Sequence, residues 1–186
     1  MSDVTKILLN WSNESSDDRG QVIAALYDDL RRNAAAYLRK ERNQPDMQPT
    51  LLVNEAYLRL VNINRIDLHG RTHFFGLAGK IMREVLVDEA RRVRAKKRDF
   101  ALQTQFDDDI VNLDVPVLDI LALDDMLIEL AEIDPVYVAL FEARAFAGLT
   151  IEESAAQLGI SASSVKRKWK VTLAWIKSRS EQDNTA

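Results

Sequence analysis

The stretch TIEESAAQLGISASSVKRKWKVTLAWIKS, residues 150–178, decides the fold. Thr150 and Glu153 fit a capping box, in which each side chain serves the other's backbone N–H. Ile151, Ala155 and Leu158 then share one face of a short helix. Gly159 supplies the turn, Ile160 points back to the core, and Ser161 caps the next helix. Val165, Trp169, Leu173 and Ile176 repeat at helical spacing. Helix, short turn and helix form the arrangement whose second helix lies in the DNA major groove. With Val165 and Trp169 inward, Ser163, Ser164, Arg167 and Lys168 project from the start of that helix. Arginine pairs with guanine edges, and lysine and serine bind phosphate. Lys166 and Lys170 add backbone contacts. The plainer alternative is a helical hairpin with a basic outer face, but cap, turn, buried Trp and basic face agree on DNA binding.

Working outward, Asp134 and Pro135 mark a sharp helix start. That helix runs to Ala147, and Gly148 suits a left-handed C-terminal cap. Asp119 to Ile133 is helical through Ile120, Leu123, Leu127 and Leu130. Phe100 to Pro116 has no clear period, carries Asp107, Asp108 and Asp109, and reads as an acidic linker. Before it lies a long helix, Arg71 to Arg98, whose inner stripe is Phe74, Ala78, Ile81 and Val85. Leu51 to Ile63 is a helix apolar on most sides, with Thr50 as its N-cap. Gln21 to Arg42 is a further helix, with Val22, Leu26, Leu30, Ala34 and Leu38 at every fourth place. The expected fold is therefore all-α. Two small domains, 20–99 and 119–180, follow an N-terminal extension, 1–19, and are joined by the linker, 100–118.

Composition supports helices: 47% of the 186 residues are hydrophobic, with only 6 Gly and 4 Pro. There is no Cys, so disulfides and thiolate metal sites are excluded. No signal peptide is read in Met1 to Asn13, and no apolar run approaches the ~20 residues of a membrane span. The expected compartment is the cytoplasm, with no membrane association. The net charge of −4 hides strong segregation. Arg65 to Arg98 holds ten basic and four acidic residues, whereas Asp99 to Asp134 holds eleven acidic residues and no basic one. All six basic residues after Thr150 fall between Lys166 and Arg179. Two basic blocks around an acidic one imply two polyanion-facing surfaces. No phosphate-cradling Gly loop or metal-spaced cluster points to an enzyme, a metal or a cofactor. His69 and His73 lack a third ligand and read as polar surface residues.

The two halves together resemble a known family. Leu52-Val53-Asn54-Glu55-Ala56-Tyr57-Leu58-Arg59-Leu60 is similar to the LVQEVFLRL-type second region of bacterial sigma factors. Phe74 through Asp88-Glu89-Ala90-Arg91-Arg92 resembles their FxxWL…ARNxxxDxxRR stretch. Thr150 to Ile176 resembles TxxEIAxxLGIS…TVKxRxxRAxxxL. In this order, over roughly Gln21 to Ser178, the match is to the extracytoplasmic-function (ECF) group of the sigma-70 family. The resemblance implies sigma domains 2 and 4. Domain 2 would bind the β′ subunit of core RNA polymerase through the helix carrying Leu52, Asn54, Glu55, Tyr57 and Arg59. It would also bind the −10 promoter element, and domain 4 the −35 element. Asp88, Arg91 and Arg92 stand where the family has its DxxRR.

Promoter melting needs a protein that holds an unpaired strand better than a duplex. Arg83, Arg91, Arg92, Arg94, Lys96, Lys97 and Arg98 supply the charge. Asn62 to Gly70 offers a loop for an extruded base, and Phe74 and Phe75 are candidate stacking rings, at least one of them core. Three places depart from the pattern. Glu84 replaces an Asn at a promoter-contacting position, and Leu77 replaces a Trp. Gln48-Pro49-Thr50-Leu51 replaces an acidic run that helps to grip polymerase. Thr50 is thus a candidate phosphorylation site that restores the charge, with a Ser/Thr kinase as partner, or else only a helix cap. Control by an anti-sigma factor is a further option. The alternatives are a helix-turn-helix regulator acting on duplex DNA without melting and a non-DNA adaptor docking through Leu51 to Val61.

Overall fold

Residues 16–40, 48–63, 70–103 and 116–183 are described by the computed structural model, and among them every regular element is a helix. In chain order these are α1 (Ser16–Lys40), α2 (Pro49–Val61), α3 (Arg71–Gln103), α4 (Pro116–Ile133), α5 (Pro135–Phe141), a π turn (Glu142–Phe146), α6 (Ile151–Leu158) and α7 (Ala162–Asp183). No described helix is long and apolar enough to cross a membrane. The Asp107–Asp109 run and the base-pocket positions 64–69, His69 included, lie outside the described residues.

α1 starts earlier than its periodicity suggests. Arg19 is buried and donates to the carbonyls of Val61 and Ile63, so the extension drawn at 1–19 overlaps this helix. Val22, Ile23, Leu26, Leu30, Ala34 and Tyr37 face the core. The start of α2 differs as well. Its N-cap is Gln48, with no side-chain cap bond, Pro49 opens the helix, and Thr50 lies one position further in. Proline suits the first turn because its missing N–H has no intrahelical partner there. α2 buries Leu52, Val53, Ala56 and Leu60 and leaves Leu51 and Leu58 outside. α3 buries an apolar stripe from Phe74 to Ala90. Phe74 and Phe75 are both core, packed edge to face at 5.6 Å, so neither is presented as a stacking platform.

In the second half, Asp134 caps α5 by accepting from the Val136 N–H at 2.9 Å. The helix does not stay α to Ala147. It widens at Glu142–Phe146, where the Ala147 N–H reaches the Glu142 carbonyl five residues back. Gly148 then adopts φ 69°, and the Leu149 N–H returns to the Ala143 carbonyl. In α7 the inward stripe is Val165, Trp169, Thr172 and Ile176; Leu173 is 45% exposed. Thr172 takes the buried place because its hydroxyl donates to the Lys168 carbonyl, which removes the cost of burying it.

The halves are packed together. Buried residues of α1, α2 and α3 form one apolar cluster with Ile120, Leu127, Leu130, Phe141, Phe146 and Leu149. Tyr37 of α1 meets Phe146 of the π turn at 4.3 Å between ring centroids. The Asn33 amide donates to the Ala147 carbonyl at 2.5 Å.

Candidate nucleic-acid interface

The helix-turn-helix forms through local chemistry. The Thr150 N–H donates to Glu153 Oε2 at 2.8 Å, and the Glu153 N–H donates to Thr150 Oγ1 at 3.1 Å. Gly159 sits at φ 65°, a left-handed conformation that costs a Cβ-bearing residue about 1–2 kcal/mol. Ser161 Oγ accepts from the Ser164 N–H, and its hydroxyl also links to those of Ser163 and Ser164 at 2.9 Å. The start of α7 therefore carries a small hydroxyl cluster directly before the basic residues.

Ser163, Lys166, Arg167 and Lys170 are exposed and share one stripe of α7, at spacings of three, four and seven residues. This stripe lies opposite Val165, Trp169 and Thr172. Lys168 does not belong to it, which corrects its assignment to the outward face. Its ammonium is half-buried, donates to Asp134 at 2.6 Å and lies 4.4 Å from the Tyr137 ring centroid. The hydrogen bond from Lys168, and then that from the Val136 N–H, hold the Asp134 carboxyl below its ordinary value of 3.8. The sequence held the signal: Lys168 follows Val165 by three residues and falls on the inward side.

The basic half of α3 divides in three. Arg83 turns inward to Asp124 of α4 and to Glu142 of the π turn, reaching Glu142 at 2.9 Å. Glu84 is half-buried beside this group. Arg91 also reaches Asp124, at 3.2 Å, but its side chain stays 60% exposed, against 15% for Arg83. Arg92 is held by Glu89 of its own helix, which raises its pKa first through their hydrogen bond and then through charge. Arg94 is exposed. The side chains of Lys96, Lys97 and Arg98 lie outside the described residues, although α3 continues through them. Asp88 accepts from Arg59 at 2.7 Å, which ties the start of the DxxRR motif to α2.

α2 presents a second stripe. Leu51, Asn54, Glu55 and Leu58 face outward at helical spacing, with Leu58 55% exposed. Leu52, expected at a protein interface, is fully buried in the core and is not available to a partner. Leu51 and Leu58 are instead the exposed large hydrophobics of this helix, which the sequence reading did not single out. Beside the stripe, Ala24, Tyr27, Asp28, Asn54 and Tyr57 line a cavity of about 330 Å³, with Tyr27 donating to Asn54 at 3.2 Å. Among the described residues no cluster of His, Cys, Asp and Glu could hold a metal ion.

The family model of the ECF sigma factors matches residues 1–182. The chain belongs to the ECF sigma factors. Comparison with curated proteins and with solved structures finds no match. Membership in this sigma factor family implies promoter-specific transcription initiation together with RNA polymerase, and so binding to the polymerase core and to promoter DNA. The all-helical architecture agrees with that family. In this sigma factor the α2 stripe adjoins the exposed arginines of α3, because Arg59 pairs with Asp88 and the charge of Glu55 acts on Arg92.

Proposed function

We propose that the α2 stripe docks on the β′ subunit of core RNA polymerase, that the α3 edge engages the −10 element, and that the α7 stripe reads the −35 element. The observation that carries this division is the exposed α7 row of Ser163, Lys166, Arg167 and Lys170. Three cations on one helical stripe match a phosphate backbone, and Arg167 adds a fork suited to a guanine edge. On α3, Arg91, Arg92 and Arg94 are exposed and suit a displaced strand. On α2, Leu51 and Leu58 give an apolar centre flanked by Asn54 and Glu55, as protein interfaces require. Reconstitution with core polymerase and a duplex carrying a fluorescent base in the −10 region tests this. Base unstacking that depends on both proteins is expected. Tight duplex binding without unstacking would leave a regulator instead.

Regulation centres on Thr50 in this reading. It is exposed in the first turn of α2, and that turn holds no acid. A phosphate there meets free N–H groups and the positive end of the helix dipole, and restores negative charge beside the docking stripe. A Ser/Thr kinase is then the controlling partner. Because Gln48 rather than Thr50 is the cap, Thr50→Ala leaves the helix intact and isolates the phosphate's effect. Phosphorylated protein is expected to bind core polymerase more tightly than unmodified or Thr50→Ala protein. Equal binding by all three removes the switch.

A further inference from the structure

We propose that the cavity between α1 and α2 is a receptor for one arginine side chain, presented by the polymerase surface that covers the α2 stripe. That polymerase is the source rests on the function proposed above; the preference of the site for a cation does not.

The cavity is built by two facing rows. Gly20, Ala24, Tyr27 and Asp28 share one face of α1, at helical spacing. Asn54 and Tyr57 stand one turn apart on α2. Ala24, Tyr27, Asp28, Asn54 and Tyr57 together line the space of about 330 Å³. Both tyrosines are half-buried, and each is held against the opposite helix. The Tyr27 hydroxyl donates to Asn54 Oδ1 at 3.2 Å, which ties its ring to α2. A Cβ built at Gly20 would lie 3.2 Å from the Tyr57 hydroxyl oxygen, so the missing side chain there lets Tyr57 lie close against α1. Rings placed in advance spare a ligand the cost of ordering them.

Asp28 gives the cavity its sign. Its neighbour Asp29 is held by Arg32 and Arg71, whereas Asp28 has no ion pair among the described residues. No Lys or Arg is among the lining residues, so an anion finds no counter-charge. A lone carboxylate with no second acid or His is too few ligands for a metal ion. Sites for whole small molecules span roughly 300–1,000 Å³, so this one suits a single side chain rather than a nucleotide. Two tyrosine faces attract a cation through their ring quadrupoles. A guanidinium also stacks flat on a ring and forks onto a carboxylate, and an ammonium does neither. The Tyr57 hydroxyl and the Asn54 amide oxygen accept from its remaining N–H groups. Asn54 belongs both to this cavity and to the exposed stripe with Leu51 and Leu58, so a partner lying on the stripe reaches the rim.

Equilibrium binding of the full chain to core RNA polymerase, read at several salt concentrations, tests this. Asp28→Asn should weaken binding about tenfold and flatten its salt dependence. Ala24→Leu should weaken it as well, because it fills the cavity and leaves the charge alone. Asp125→Asn, at an exposed carboxylate of α4, should do neither. Arginines of the β′ docking region are then replaced by Ala one at a time. One replacement should weaken binding of the wild type about tenfold and of Asp28→Asn no further. Should Ala24→Leu lower the melting temperature, Asp28→Asn and this cycle decide alone, since Asp28 is exposed and only its charge changes. Wild-type binding by both variants overturns the receptor, as do losses that simply add for every polymerase arginine. A loss with Asp28→Asn but not with a stably folded Ala24→Leu leaves a surface charge and overturns the cavity. In each of these cases a loss with Leu58→Asp keeps the docking standing without it. No binding of the wild type to core polymerase overturns the docking, and the receptor with it.

Discussion

Arg167 and Lys168 are adjacent, yet they do opposite work. Arg167 faces outward on the α7 stripe, while Lys168 closes the Asp134 cap. Replacing Arg167 by Ala should cost about 1–3 kcal/mol of binding to the preferred −35 sequence and relax specificity at one base pair. Binding titrations across a set of mismatched duplexes measure this. Lys166→Ala should weaken all duplexes alike and flatten the salt dependence. Asp134 gives a pH signature at the same scale. Its carboxyl is held low in the folded protein, so its contribution is present above pH 3.8 and fades as pH falls through the folded value. Thermal melts of the wild type and Asp134→Asn should therefore converge at low pH. Leu52→Ala should destabilise the fold by about 2–5 kcal/mol, because Leu52 is fully buried. Leu58→Asp should leave the melting temperature nearly unchanged and weaken polymerase binding in a pull-down.

At the scale of elements, local rules were legible and tertiary choices were not. The capping box at Thr150 and Glu153, the turn at Gly159 and the cap at Asp134-Pro135 each depend on a few neighbouring residues, and each forms as its sequence dictates. The α2 helix offered two apolar stripes, and only packing against α1 and α3 selects Leu52 over Leu51 for burial. The same holds for Thr172 against Leu173 in α7, where one hydroxyl bond lets a polar residue take the core position. The π turn had no sequence signature, and it lies where the backbone of Glu142 and Ala147 comes close to Gly79. Gly79, inside α3, is a packing site, since a Cβ there would lie 2.7 Å from the Glu142 carbonyl oxygen.

For the whole molecule, the acidic segment has a use that charge counting did not reveal. Asp124, Glu129 and Asp134 are counter-ions for Arg83 and Arg91, Arg179 and Lys168, respectively. Glu142 makes this arrangement pH-dependent. Burial pushes its carboxyl above the ordinary 4.5, against the opposing pull of Arg83 and Lys80 and with a small push from Glu84. A raised folded value means that its contribution is full below pH 4.5 and is lost as pH rises through that folded value. The stability of the wild type relative to Glu142→Gln should fall across that window in denaturant titrations.

This ECF sigma factor is proposed to start transcription through the α2 stripe, the exposed arginines of α3 and the α7 stripe together. Run-off transcription with core RNA polymerase over a library of randomised upstream sequences tests it most directly. Transcripts are expected from a restricted set of −35 and −10 sequences, lost with Leu58→Asp and redistributed with Arg167→Ala. Transcripts that are absent, or whose sequence preference ignores Arg167→Ala, would contradict it.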